Sequence, residues 1–205
     1  DYGITVKDSN ADFGAIVDRS RGVANGMSQG IQFLMKKNKI DVLMGTGVIK
    51  AGKKVSVTDA DGKVAEYAAS KGVIIATGAR SRQLPNLPQD GKKVIGYREA
   101  LSLKKLPKSM VIVGSGAIGV EFAYFYKAMG TEVTIVEYAG AIVPVEDKDV
   151  SKQLEKSFKK MGINVMTGSS VESVDTKGKG CKVSVKTSKG EEIIECDIVL
   201  SAVGV

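Results

Sequence analysis

The sequence predicts an α/β protein of the doubly wound, Rossmann type, carrying a β-meander insertion. Three observations lead there. A short apolar run, Val111-Ile112-Val113, enters Gly114-Ser115-Gly116-Ala117-Ile118-Gly119-Val120-Glu121, and a helical pattern leaves it. A second apolar run, Val133 to Val136, ends in an acid, Glu137, 21 residues beyond Gly116. Further helix-like and strand-like stretches then alternate to the end of the chain, as a sheet with crossover helices requires.

Together, strand, glycine motif, helix, strand and acid form a dinucleotide-binding fingerprint. Gly114 permits the tight strand-to-helix turn. At Gly116 a Cβ would collide with an approaching pyrophosphate. Gly119 lets the helix lie close on the strand. The phosphates would sit at a helix N-terminus, where free N–H groups and the helix dipole favour negative charge. A carboxylate at Glu137 accepts ribose hydroxyls and repels a 2′-phosphate, which selects NAD over NADP. The residues that follow it, Tyr138, Ala139, Gly140 and Ala141, include no cation to hold such a phosphate.

The elements follow in order. Ala24 to Lys37 has helical spacing at Val23, Met27, Ile31, Leu34 and Met35, and its closing lysines suit a helix C-terminus. Ile40 to Val48 is strand-like. Lys54 to Thr58, a turn at 59–62 and Lys63 to Ala68 predict a β-meander. Gly72 to Ala76 is a continuous apolar run, predicting a buried parallel strand. Residues 81–107 hold Pro85, Pro88 and Pro107, and predict an extended linker with a short helix from Arg98 to Leu103.

The second unit, 108–205, begins with a strand at 110–113, a helix at 117–129 ended by Gly130, and a strand at 132–136. A helix from about Asp147 to Met161 follows, with Val150, Leu154, Phe158 and Met161 on one face and Gly162 ending it. Strands are predicted at 163–167 and 170–175, a hairpin at Lys182 to Thr187 and Glu191 to Cys196, and a last strand at Asp197 to Ala202.

Composition narrows the function classes. The 205 residues carry a net charge of +7, but the lysines are dispersed among acids without an aromatic stripe, which argues against nucleic-acid binding. No apolar run is long enough to span a bilayer. No secretory leader opens the sequence, and both ends look cut from a longer protein. There is no histidine, so the commonest general base near neutral pH is missing. The two cysteines, Cys181 and Cys196, match neither metal-site nor CxxC spacing. They are expected to be strand residues, bridged only if the strands place them opposite each other. So low a cysteine count suits a reducing, cytoplasmic setting.

The chain resembles the pyridine nucleotide-disulfide oxidoreductases, most closely the branch acting on lipoamide. The resemblance rests on Val73 to Arg80, Leu84-Pro85, Glu99-Ala100-Leu101, Leu106-Pro107, Val111 to Glu137, Val145 to Val150 and Asp197 to Gly204. It implies that residues 1–80 belong to an incomplete FAD domain, and that 108–205 form an inserted NAD domain beyond the linker 81–107. It further implies that Gly47, Thr77, Gly78 and Ala79 line FAD, and that Gly114 through Glu121 hold NAD. By the same likeness Glu137 binds the adenine ribose, Val171 touches the adenine, Gly204 approaches the nicotinamide side, and Glu121 is the acid beside it. The family's first FAD glycine motif, its CxxxxC pair and its C-terminal domain with a His-Glu base are not present in these residues. The resemblance therefore implies a central fragment, inactive alone. Its parent enzyme would pass electrons from a lipoamide-type thiol through FAD to NAD, as a homodimer within a 2-oxoacid dehydrogenase complex. Another flavin disulfide reductase or a transhydrogenase of the family, or a stand-alone NAD-binding module, remain the other readings.

Overall fold

A computed structural model describes residues 7–205. They fall into two compact units, Gly22–Ala79 and a larger one made of Arg80–Val205 with the N-terminal segment through Arg21.

Helix α1 (Phe13–Lys37) starts eleven residues before the predicted Ala24. Its start is fixed by the Asp12 carboxylate, which accepts the Ala15 N–H at 3.0 Å, as N-cap residues do. Tertiary packing does the rest. Phe13 lies against Phe125 and Tyr126, with ring centroids 6.2 and 6.1 Å away. Gly14, Gly22 and Gly26 weaken the local helix signal that sequence reasoning depends on.

In the smaller unit, β1 (Thr46–Lys50), β2 (Lys54–Thr58) and β3 (Val64–Ala68) form an antiparallel sheet in that order. The predicted meander is present, though the strand expected at 40–48 starts only at Thr46. Asp59 organises the β2–β3 turn by accepting the N–H groups of Asp61 and Lys63 at 3.0 and 2.9 Å. No hydrophobic residue between 22 and 79 is buried. The strand predicted at Gly72 to Ala76 does not form, and Ile74 and Ile75 are 92% and 68% exposed. The apolar run has the composition of a central strand, but a strand exists only through neighbours that take up its N–H and C=O groups. No such neighbour occurs among the described residues.

The larger unit holds a five-stranded, all-parallel sheet in the order β4-β11-β5-β6-β7. Strand β4 (Val94–Ile95) and the short helix α2 (Tyr97–Ala100) lie in the stretch expected to be linker. Asp90 draws β4 into the sheet, accepting N–H groups from Lys92, Lys93 and Val94 at 2.8, 2.8 and 3.0 Å. Burial works against its charge, but these donors outweigh it and hold the carboxyl below its ordinary value. Then come β5 (Ser109–Val113), α3 (Ala117–Ala128), β6 (Glu132–Val136), α4 (Lys148–Met161) and β7 (Asn164–Met166), close to the predicted bounds. Asp147 caps α4 through the Asp149 N–H at 2.8 Å, and Gly162 ends it in the left-handed conformation at φ 76°.

An antiparallel sheet, β8 (Ser170–Asp175), β9 (Cys181–Thr187) and β10 (Gly190–Cys196), is inserted before β11 (Ile198–Ser201). Both faces of the parallel sheet are covered, and alternate residues feed the two sides. Met110 and Ile112 of β5 join the helix-side core with Tyr126 and Phe158. Val111 and Val113 join the opposite core with Val171, Val183 and Val185 of the inserted sheet. Cys181 and Cys196 stand directly opposite each other in the β9–β10 ladder, buried and unbridged. Burial, with Cys181 alongside, pushes the Cys196 thiol up to about 12.

A candidate dinucleotide-binding cleft

Strand β6 flanks β5 on one side and β11 on the other, so the chain order reverses across β5. Ligand clefts of open parallel sheets form at such a switch point, beyond the carboxyl ends of the strands. Here a cleft of about 720 Å³ occupies that place, floored by the turns that leave β5, β6 and β11.

The three glycines of the first turn differ in what surrounds them. Gly114 turns at φ 98°, and a Cβ there would meet the Ala202 carbonyl oxygen at 2.5 Å. Gly119 packs so closely that a Cβ would lie 2.1 Å from the Gly114 oxygen. The protein gives no such reason for Gly116, whose backbone is ordinary at φ −66° and ψ −178°. A Cβ there would find nothing within 4 Å. Gly116 faces the cleft, at the N-cap of α3. The first N–H to close an α3 turn is that of Val120, on the Gly116 oxygen at 3.1 Å. The N–H groups before it have no acceptor in their own helix and stand as free donors at the positive end of its dipole.

Glu137 follows directly on β6 at the cleft, 9% exposed. Its Oε2 accepts the N–H and the hydroxyl of Ser115 at 2.8 and 2.7 Å. Its Oε1 accepts the Ala139 N–H at 2.7 Å. Val171 and Gly204 line the same cleft, and the Gly204 carbonyl accepts the Arg82 N–H at 3.0 Å.

Of the residues singled out from sequence, the fold thus brings Gly114, Ser115, Gly116, Ala117, Ile118, Glu137, Val171 and Gly204 to one cleft. Gly119 and Val120 are buried beneath it. Glu121 is exposed on α3 and borders a separate, apolar cavity of about 270 Å³ with Val17, Phe122 and Phe125. Gly47, Thr77, Gly78 and Ala79 belong to the smaller unit. Arg82, Asn86, Tyr138 and Ser169 also line the cleft, and sequence reasoning did not select them. Tyr138, 84% exposed beside Glu137, was findable by adjacency. The others come from the segments before β4 and after β7, and only the tertiary fold brings them there.

The switch-point cleft, the glycine turn and the buried acid define a Rossmann-type α/β protein whose residues fit a dinucleotide. The sequence profile of the pyridine nucleotide-disulphide oxidoreductases matches residues 5–205, and the chain belongs to that family. It is 42% identical over 205 residues to a dihydrolipoyl dehydrogenase of Chlorobaculum tepidum, covering 100% of this chain and 44% of that protein. A dihydrolipoyl dehydrogenase of Mycobacterium leprae is 42% identical over 205 residues, covering 99% of this chain and 44% of its own length. Among solved structures, LpdA from Mycobacterium tuberculosis superposes with a TM-score of 0.86 at 28% identity, over 97% of this chain and 44% of that one. The HOCl-induced flavoprotein disulfide reductase RclA of Escherichia coli gives 0.78 at 26% identity, over 95% and 43%. The chain spans less than half the length of these relatives.

Proposed function

We propose that this chain is the central part of an NAD-dependent dihydrolipoamide dehydrogenase, with the NAD site in the 108–205 region and a partial FAD-binding segment in 1–80. One observation carries the NAD assignment. Gly116 is a glycine for which neither backbone conformation nor protein neighbours give a reason. A pyrophosphate lying against it supplies one. The free N–H groups at the start of α3 would donate to that pyrophosphate, and the dipole would favour its charge. Glu137, pre-positioned by three donors, would accept ribose hydroxyls. Val171 would pack on the adenine and Gly204 would face the nicotinamide end, while Glu121, expected beside it, lies outside this cleft. Gly47 and Thr77 to Ala79 would serve FAD.

FAD and NAD, when bound in the whole protein, supply the hydride-transfer chemistry. These residues bind and orient. The proposed electron donor is a lipoamide-type thiol, and the whole protein is proposed to work as a homodimer in a 2-oxoacid dehydrogenase complex, in the cytoplasm. The likeness to RclA supports a second reading, another flavin disulfide reductase of the same family. Among the described residues no helix is long and apolar enough to cross a membrane.

Calorimetric titration of the chain with NAD⁺ and NADP⁺ tests the assignment. Saturable NAD⁺ binding stronger than NADP⁺ binding is expected. No NAD⁺ binding, or a preference for NADP⁺, rejects it.

A further inference from the structure

Ser115 lies between the first two glycines of the motif, a position the G-x-G-x-x-G fingerprint leaves open. Its surroundings ask for more. Its side chain is 0% exposed, and its hydroxyl and N–H converge on one oxygen of Glu137. No lysine or arginine pairs with that carboxylate among the described residues. The serine is itself held from the far side. Its carbonyl accepts the Val143 N–H at 3.0 Å, and Val143 sits at φ 41°, a left-handed conformation rare for a β-branched residue. The Ser151 hydroxyl holds the Val143 carbonyl in turn, at 3.3 Å.

We infer that Ser115 is the positioning residue for cofactor choice: its hydroxyl fixes the Glu137 carboxylate where it meets the adenine ribose. The inference rests on the NAD site proposed above. A glutamate side chain has three rotatable bonds. Without the Ser115 hydroxyl the carboxylate keeps only the backbone N–H groups of residue 115 and Ala139, one on each oxygen, and is freer to turn away from a 2′-phosphate and relieve the repulsion. With Oε2 held twice and Oε1 once, it cannot. Discrimination against NADP then depends on Ser115 as well as on the charge of Glu137. A serine donates this bond and an alanine of nearly the same shape does not.

The test is calorimetric titration of NAD⁺ and NADP⁺ into the wild-type chain, Ser115→Ala, Glu137→Ala and the double variant, with thermal unfolding of each. Ser115→Ala is expected to narrow the NAD⁺/NADP⁺ affinity ratio by about tenfold, the scale of one hydrogen bond to a charged group. On the Glu137→Ala background it should leave the ratio unchanged, because its partner is gone. If Ser115→Ala lowers the unfolding midpoint strongly, Ser115→Gly is the second hydroxyl-free variant and should narrow the ratio alike. Equal weakening of both nucleotides by Ser115→Ala, or the same narrowing with Glu137 absent, overturns the inference while leaving Glu137 as ribose ligand. A ratio that Glu137→Ala does not change overturns the ribose assignment itself, and the inference with it.

Discussion

Gly116 and Gly119 sit three residues apart, yet substituting them should fail for different reasons. A Cβ at Gly119 meets backbone on the far side of a packed turn, so Gly119→Ala should lower stability by about 1–3 kcal/mol, as overpacking does. A Cβ at Gly116 meets nothing, so Gly116→Val should leave the urea midpoint near wild type and abolish NAD⁺ binding. Equal loss of both properties in the two variants would contradict this division. The turn at Gly114 and the close packing at Gly119 were legible in the sequence because backbone geometry fixes them at set spacings. The Ser115 hydroxyl was not, since its partner is known only once β5 and β6 are neighbours. The cysteines show the same limit. Their chain positions suggested strands, and only the register puts Cys181 opposite Cys196. Burial raises the Cys196 thiol from 9.0 to about 12, so its contribution to stability is complete below the unfolded thiol's value and is lost as pH rises toward the folded one. Tyr126, pushed up by burial from 10.0 to about 12, adds to the same loss. Urea midpoints should therefore fall between pH 9.0 and 12, and less steeply in Cys196→Ala. A flat profile across that window would contradict the burial of both groups.

Elements were legible where their signals are local. α3, β6, α4 and the β9–β10 hairpin carry their own periodicity, caps and turns, and appear within a few residues of expectation. β4 was missed because two residues make no pattern. It exists through Asp90 and through pairing with β11, about a hundred residues away in sequence. The error at Gly72 to Ala76 runs the other way, since composition promised a central strand and no partner strand accompanies it among the described residues. Hydrogen exchange separates the two kinds of element. Amides of β5, β6 and β11, buried between two cores, should be the slowest in the chain. Those of Val73 to Ala76 should exchange at rates near an unstructured peptide, although their side chains are as apolar. Strong protection at 73–76 would show that the run has found a strand partner.

At the scale of the whole molecule, the smaller unit is a sheet without a core. Three strands need a hydrophobic face packed on something to be stable alone. Met27, Ile31, Phe33 and Met44 are exposed instead, together with Ile74 and Ile75. Apolar area of this extent favours association, at roughly 25 cal/mol per Å² removed from water. The net charge of +7 opposes it by mutual repulsion over about a Debye length. The two effects respond differently to salt, because screening weakens the repulsion and leaves the apolar attraction in place. The chain should therefore self-associate as concentration rises in sedimentation velocity, and more so at higher ionic strength. Ile74→Lys with Ile75→Lys should push it back toward monomer without lowering NAD⁺ affinity, since the cleft lies wholly in the larger unit. A clean monomer at all concentrations and salts would mean that these side chains are already covered, and association that salt dissolves would mean that charge rather than apolar surface drives it.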